Sequence, residues 1–177
     1  MVKVAVTNLG KYNEGKLVYK WINLPASHDE INNALKEIGV DGKNYEEYFI
    51  SDYIFNEKIK FDITEYSSIS RLNEIAKELQ SLNEMQLYAV QAYIELYGSD
   101  IDYVMDAIEF AKSENFNILY DCHDITDVAH YYINESGIYE LPEIAKTYFD
   151  YEAFARDLEI ESNFVFLNDG ICVEILN

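Results

Sequence analysis

The chain has 177 residues, 49% of them apolar and 15% aromatic, which is enough for one ordinary domain or a few very small ones and too apolar for a disordered acidic tail. Thirteen Lys and Arg stand against 33 Asp and Glu, a formal net charge of −20, and this sign excludes a direct grip on DNA, RNA or an anionic membrane, whose phosphates need cations. No apolar run reaches the roughly 20 residues of a membrane helix. The opening MVKVAVTNLGKYNEG lacks the basic-then-apolar pattern of a secretory signal, and Cys122 and Cys172 fit no zinc spacing, so a cytoplasmic protein with two buried, reduced thiols is expected.

Val2, Val4 and Val6 alternate with Lys3 and Ala5, which predicts a half-buried strand. Asn8–Lys16, with two glycines and two asparagines, reads as a loop, and LVYKWINL as a second strand stopped by Pro25. Ser27 and Glu30 form a capping box for a helix whose apolar stripe is Ile31, Leu35 and Ile38, ended by Gly39. YEEYFISDYIF, at 45–55, is a third strand. The middle is helical. One helix runs from Arg71 to Leu82 with Leu72, Ile75, Ala76 and Leu79 inward; Asn83 caps another with Leu87, Val90, Ile94 and Tyr97 inward and Gly98 at its end. Asp100 caps a third, with Ile101, Val104, Met105, Ile108 and Ala111 inward. Phe116–Tyr120 is a strand, Asp124–Glu135 a helix ended by Ser136-Gly137, Pro142 the start of a short helix, and Asp150–Leu158 another. Phe164–Leu167, the turn Asn168-Asp169-Gly170 and Ile171–Ile175 make a terminal hairpin. The fold class is α+β. Changes of element type divide the chain into an N-terminal α+β domain (1–62), a middle helical domain (63–113) and a C-terminal α+β domain (114–177).

Charge is unevenly spread. Residues 1–77 hold 12 acids and 10 bases; residues 78–177 hold 21 acids and only Lys112, Lys146 and Arg156, a net −18. Several acids recur at helical spacing: Asp102, Asp106 and Glu109 at i, i+4 and i+7, Asp124 and Asp127 three apart, Glu152 and Glu159 on one side, and Asp157 and Glu161 four apart. Like charges at i,i+4 cost a helix a few tenths of a kcal/mol, and such neighbours stand about 5–6 Å apart. Capping accounts for Asp100, Asp124 and Asp150 but not for the acids in mid-helix. Duplex DNA carries one charge per about 1.7 Å, so 18 charges correspond to roughly 30 Å of duplex.

Other chemistry is thinly supported. His123 and His130 lie near Asp121, Asp124 and Asp127, without the fixed spacing of a metal site, so surface and cap roles are favoured over a metal-dependent hydrolase. Asp100, Asp102 and Asp106 lack the glycine and final Glu of a calcium loop. Walker A, GxGxxG and GxSxG motifs are missing, so no enzyme, cofactor, metal or catalytic residue is expected. Most of the sixteen tyrosines sit at core positions; Tyr93, Tyr131 and Tyr148 are candidates to flank a binding face.

The segment TNLGKYNEGKLVYKWINLP at 7–25 resembles the N-terminal signature of the ArdA antirestriction proteins of plasmids and conjugative transposons. EEYFISDYIF at 46–55, ITEYSSISRLNEIA at 63–76, DVAHYYINESG at 127–137 and YFDYEAFARDL at 148–158 follow in the family's order, as does the terminal hairpin. From about 77 to 113 the likeness is one of helicity and acidity. The resemblance implies an elongated chain of three small domains in line, dimerising through its C-terminal part. It implies a mimic of bent B-form DNA that occupies the DNA-binding groove of type I restriction-modification enzymes and shields a mobile element, with no catalysis, no cofactor, no membrane and no nucleic acid bound directly.

On this basis the DNA-mimic surface is assigned to Glu95, Asp100, Asp102, Asp106, Glu109, Glu114, Asp124, Asp127, Glu135, Glu152, Asp157, Glu159 and Glu161. The family's antirestriction segment corresponds to about 126–145, where Tyr131, Tyr132, Ile138, Tyr139 and Leu141 suit a contact in a homodimer better than a charged face. The alternative function is that of an acidic partner of another DNA-binding protein, such as a nucleoid protein or repressor.

Overall fold

The computed structural model of the chain describes residues 2–56 and 59–176. Its internal contacts form two compact units, Met1–Leu82 with Ser99–Ile108, and Asn83–Gly98 with Glu109–Asn177. Each is built on its own three-stranded antiparallel sheet flanked by helices, so the α+β class holds.

In the first unit β1 (Val2–Asn8) lies between β2 (Tyr19–Leu24) and β3 (Tyr48–Phe55). Val2 pairs with Leu24 and Val4 with Ile22, and these residues, with Val6 and Ile50, form a buried sheet face. The helices α2 (His28–Glu37) and α3 (Ile69–Ser81) pack against β2. The predicted capping box is present: Ser27 Oγ accepts from the Glu30 N–H while Glu30 accepts from the Ser27 N–H. Leu72, Ile75, Ala76 and Leu79 of α3 are all buried, each larger one worth about 1.5–3 kcal/mol. Asn73, also buried, accepts from the Ala26 N–H at 2.7 Å and donates to the Ala26 carbonyl at 3.0 Å, tying α3 to the link between β2 and α2.

Three expectations for this unit change. β1 is buried along almost its whole length rather than on one side. As the middle strand it has neighbours on both flanks: small Ala5 stands opposite Trp21, and the Thr7 hydroxyl lies 2.7 Å from that of Ser51. The segment expected to be a loop contains a short helix, α1 (Leu9–Asn13), because Asn8 caps it by accepting from the Lys11 N–H at 2.9 Å. Lys11 Nζ then donates to the carbonyl of Ile38 at 2.9 Å, closing the C-terminus of α2 beside Gly39 at φ 86. A β-carbon at Gly10 would stand 2.5 Å from the Tyr45 ring, so only glycine lets α1 and Tyr45 meet. Residues 45–47 fall outside β3; just ahead of them the chain bends at 42–44, where the Asp41 carboxylate accepts the N–H groups of Lys43, Asn44 and Tyr45, which keeps its pKa far below the carboxylate norm.

In the second unit β4 (Phe116–Tyr120) and β5 (Asn163–Phe166) flank β6 (Ile171–Ile175), all five residues of which are buried. The predicted hairpin is present, with Asp169 at φ 63 in its turn. One sheet face, with Leu119 and Cys172, is covered by Val128, Ala129 and Tyr132 of α6 (Ile125–Asn134) and Ala155 and Leu158 of α8 (Tyr151–Glu161). The other face, with Ile171 and Val173, meets Ala92 of α4 (Glu84–Tyr97). Alternating side chains of β6 thus enter two different cores. The short helix α7 (Glu143–Thr147) starts after Pro142 as predicted. On α4 the buried residues are Ala89, Val90, Ala92 and Ile94, whereas Tyr97, expected inward, is 46% exposed and packs on Tyr93 with ring centroids 4.4 Å apart. The division between the units falls within α5 (Ile101–Ser113), whose Val104, Ala107, Ile108 and Ala111 are buried. Among the described residues no helix is long and apolar enough to cross a membrane.

Candidate acidic interface

Helix geometry sorts the acids. In α8, Ala155 and Leu158 fill the core, so Glu152, Asp157, Glu159 and Glu161 are left exposed. In α5 the small and branched residues take the buried side, and Asp102, Asp106 and Glu109 are exposed. Glu95, Asp100, Glu114, Asp124 and Glu135 are exposed as well; of the thirteen assigned acids only Asp127 is half-buried.

Some of these carboxylates have local tasks. Asp124 accepts from the N–H groups of Thr126 and Asp127, and Asp127 accepts in return from the His123 N–H at 2.8 Å, a reciprocal cap at the start of α6. Asp100 accepts from the Asp102 N–H at 3.2 Å. Glu95 accepts from Gln91 at 3.4 Å. None of these bonds neutralises charge. Cations do so elsewhere: Arg71 lies 2.9 Å from Glu74 and 4.0 Å from Asp102 in the first unit, and Lys146 lies 3.1 Å from Glu143 in the second.

Counted by unit, the imbalance sharpens. The first holds sixteen acids and ten bases, a net −6; the second holds seventeen acids and three bases, a net −14. The second unit therefore carries a strong excess of negative charge, felt by a partner within about a Debye length.

The five aromatic and aliphatic residues of the 126–145 segment are placed differently from one another. Ile138 is 64% and Tyr139 46% exposed, while Tyr131 and Leu141 are half-buried. Tyr132 is a core residue: its hydroxyl donates to Glu174 at 2.8 Å, and burial followed by that bond pushes its phenol pKa well up. Asn117 also donates to Glu174 at 2.8 Å, so among the described residues this buried carboxylate is satisfied by two neutral donors. Sequence reasoning missed Glu174; the available signal was a single charge inside the apolar run ICVEI. It also missed Ile144, 70% exposed, which stands with Tyr148, 83% exposed, at i and i+4 along and just past α7.

His123 and His130 have packing roles. The His130 ring stacks on Tyr151 at 3.9 Å, and His123 lies against Gly170, where a β-carbon would come within 2.9 Å of its ring. Among the described residues no group of three or more His, Cys, Asp or Glu is arranged to hold a metal ion. Cys122 and Cys172 are free and buried; burial, with nearby negative charge, pushes their thiols up to about 11 and about 12.

A search of curated proteins gave no match. The family model described as antirestriction protein (ArdA) matches residues 4–173, nearly the full length, and spans both sheets and every helix described above. The chain belongs to the ArdA family of antirestriction proteins, a family of inhibitors.

Proposed function

We propose that this protein acts as a DNA mimic, occupying the DNA-binding groove of type I restriction-modification enzymes and so inhibiting them. The observation that carries this reading is the second unit: seventeen acids against three bases, with exposed carboxylates in the middle of helices where they cost stability and satisfy no cap. Folding does not require such charge, whereas a groove lined with Lys and Arg for phosphates rewards it. Neighbouring helical carboxylates at about 5–6 Å match the scale of phosphate spacing. The inhibitor needs no reaction of its own, and no catalytic residue or cofactor enters the reading.

The functional particle is a homodimer working in the cytoplasm on behalf of a mobile element. Exposed Ile138, Tyr139, Ile144 and Tyr148 give the contiguous stretch 138–148 the apolar surface that a second copy would cover, and pairing doubles the length of charge presented. Tyr131 and Leu141 contribute at its edge.

Stoichiometric titration of a type I enzyme tests the reading. Inhibition is expected to be complete near equivalence and to weaken steeply with added salt. Unimpaired restriction at low salt with the chain in excess would refute it. Sedimentation tests the pairing: twice 20.6 kDa is expected, reverting to 20.6 kDa in Ile138→Glu/Tyr139→Glu.

A further inference from the structure

The first unit has a feature that the acidic surface does not use. Among the described residues β2 is an edge strand, paired with β1 on one side. The bond from the Asn8 N–H to the Val18 carbonyl, at 3.1 Å, fixes the phase of the ladder. With Val6 opposite Lys20 and Val4 opposite Ile22, the even-numbered residues of β2 turn their backbone groups towards β1. The N–H and C=O groups of Trp21 and Asn23 therefore face the open edge. Alongside runs a groove of about 290 Å³ between β2 and α2. Its floor is buried Ile22 and Ala34; its helical wall is Glu30, Asn33 and Glu37, spaced with Ala34 at i, i+3, i+4 and i+7 on one face of α2. Lys20 and Glu37 meet across it at 2.6 Å, both side chains about half exposed.

We propose that this groove takes an extended, lysine- or arginine-bearing segment of another protein, which adds to the sheet as a fourth strand beside β2. An unpaired edge next to a helix supplies main-chain bonds for affinity and side-chain contacts for selection. The wall carries two carboxylates against the single cation Lys20, so a basic residue of the incoming strand meets a complementary charge by replacing Lys20 at Glu37. Small Ala34 leaves room for an apolar side chain one pleat away. The site is built from residues 20–37 of the first unit, none of them assigned to the mimic surface, and does not depend on that mimicry.

Trp21 is the chain's one tryptophan and lies on the strand in question, so its emission reports occupancy directly. The probe is a capped peptide of alternating valine and lysine, with alternating valine and glutamate as control, added to the full chain. The lysine peptide is expected to change Trp21 emission saturably and to slow hydrogen exchange at the Trp21 and Asn23 amides about tenfold. The glutamate peptide does neither. Asn23→Pro removes an outward N–H without breaking a β1–β2 bond and should abolish the response, while Glu37→Gln weakens binding about threefold. Protection confined to the second unit, or equal protection of Trp21 and Asn23 by the glutamate peptide, overturns the proposal. The exchange measurement on the unmodified chain decides it even if Asn23→Pro folds poorly.

Discussion

The two units solve the same problem, a three-stranded sheet with helices, in different ways. In the first, one sheet face is buried and the other carries Tyr19 and Ile54, each about half exposed, with Lys3 Nζ 5.3 Å from the Trp21 ring. In the second, β6 is covered on both faces, by α6 and α8 on one side and α4 on the other. The more encased unit is also the more charged, at −14 against −6. A doubly covered strand supplies apolar burial that offsets the self-repulsion of seventeen acids. Charge that would be a liability on a thin sheet can thus be carried on the surface of the second unit.

That comparison breaks first at Tyr132. Tyr132→Ala removes a buried ring and one of the two donors to Glu174, and should cost the second unit about 3–5 kcal/mol. Amide exchange of β6 should accelerate accordingly, with Tyr132→Phe costing about 1–2 kcal/mol. Unchanged exchange in β6 would mean that the Glu174 cluster does not hold the sheet.

The matching test in the first unit is Asn73→Ala, which leaves the Ala26 N–H and carbonyl without their side-chain partner. A loss of about 2–3 kcal/mol is expected in denaturant unfolding followed through Trp21 emission.

Alkaline pH should separate the units next. The folded thiols of Cys122 and Cys172 are held at about 11 and about 12, whereas an unfolded thiol titrates near about 8.5. The unfolded state therefore loses its protons first as pH rises. The stability that these groups confer is complete below about pH 8 and declines from there through pH 11–12, by about 2 kcal/mol or more. At pH 8 alkylation of the native chain should run about a hundredfold slower than that of a free thiol, and rapid labelling would contradict the burial.

Salt gives a smaller effect of opposite sign. Raising salt to several hundred millimolar screens the second unit's repulsion and should stabilise it by about 1 kcal/mol, the first unit by less. Smallest of all is the change of one exposed acid. Neutralising Glu152, Asp157 or Glu159 alone should weaken inhibition by no more than about 1 kcal/mol, while neutralising them in groups lowers it in steps. Abolition by one such change would point to a conventional hot spot instead.

Much of the fold was legible in the sequence because local chemistry fixed it. The Ser27–Glu30 box, the caps at Asn83 and Asp124 and the Asn168-Asp169-Gly170 turn are all decided within four residues of chain. What the sequence concealed depends on distant partners. Asn8 and Gly10 look like loop residues until Tyr45 and the end of α2 are placed beside them. Tyr97 has the spacing of a core residue, but it is small Ala92 that packs with Ile171 and Val173 of the sheet. Tyr132 and Tyr139 belong to one aromatic segment, and only the position of Glu174 shows that the first is internal. Exposure of mid-helix acids was foreseeable from their phase with the apolar stripe; the capping role of Asp127 needed the N–H of His123.

The central claim is that the acidic surface and DNA compete for one groove. The direct measurement is displacement: a type I methyltransferase core loaded with labelled cognate duplex, titrated with the intact chain at low salt and followed by anisotropy. The account predicts that label is released stoichiometrically and that a higher concentration of labelled duplex shifts the release to proportionally more chain, with no complex containing all three components. A stable ternary complex, or anisotropy that does not change with the chain in excess, would contradict it.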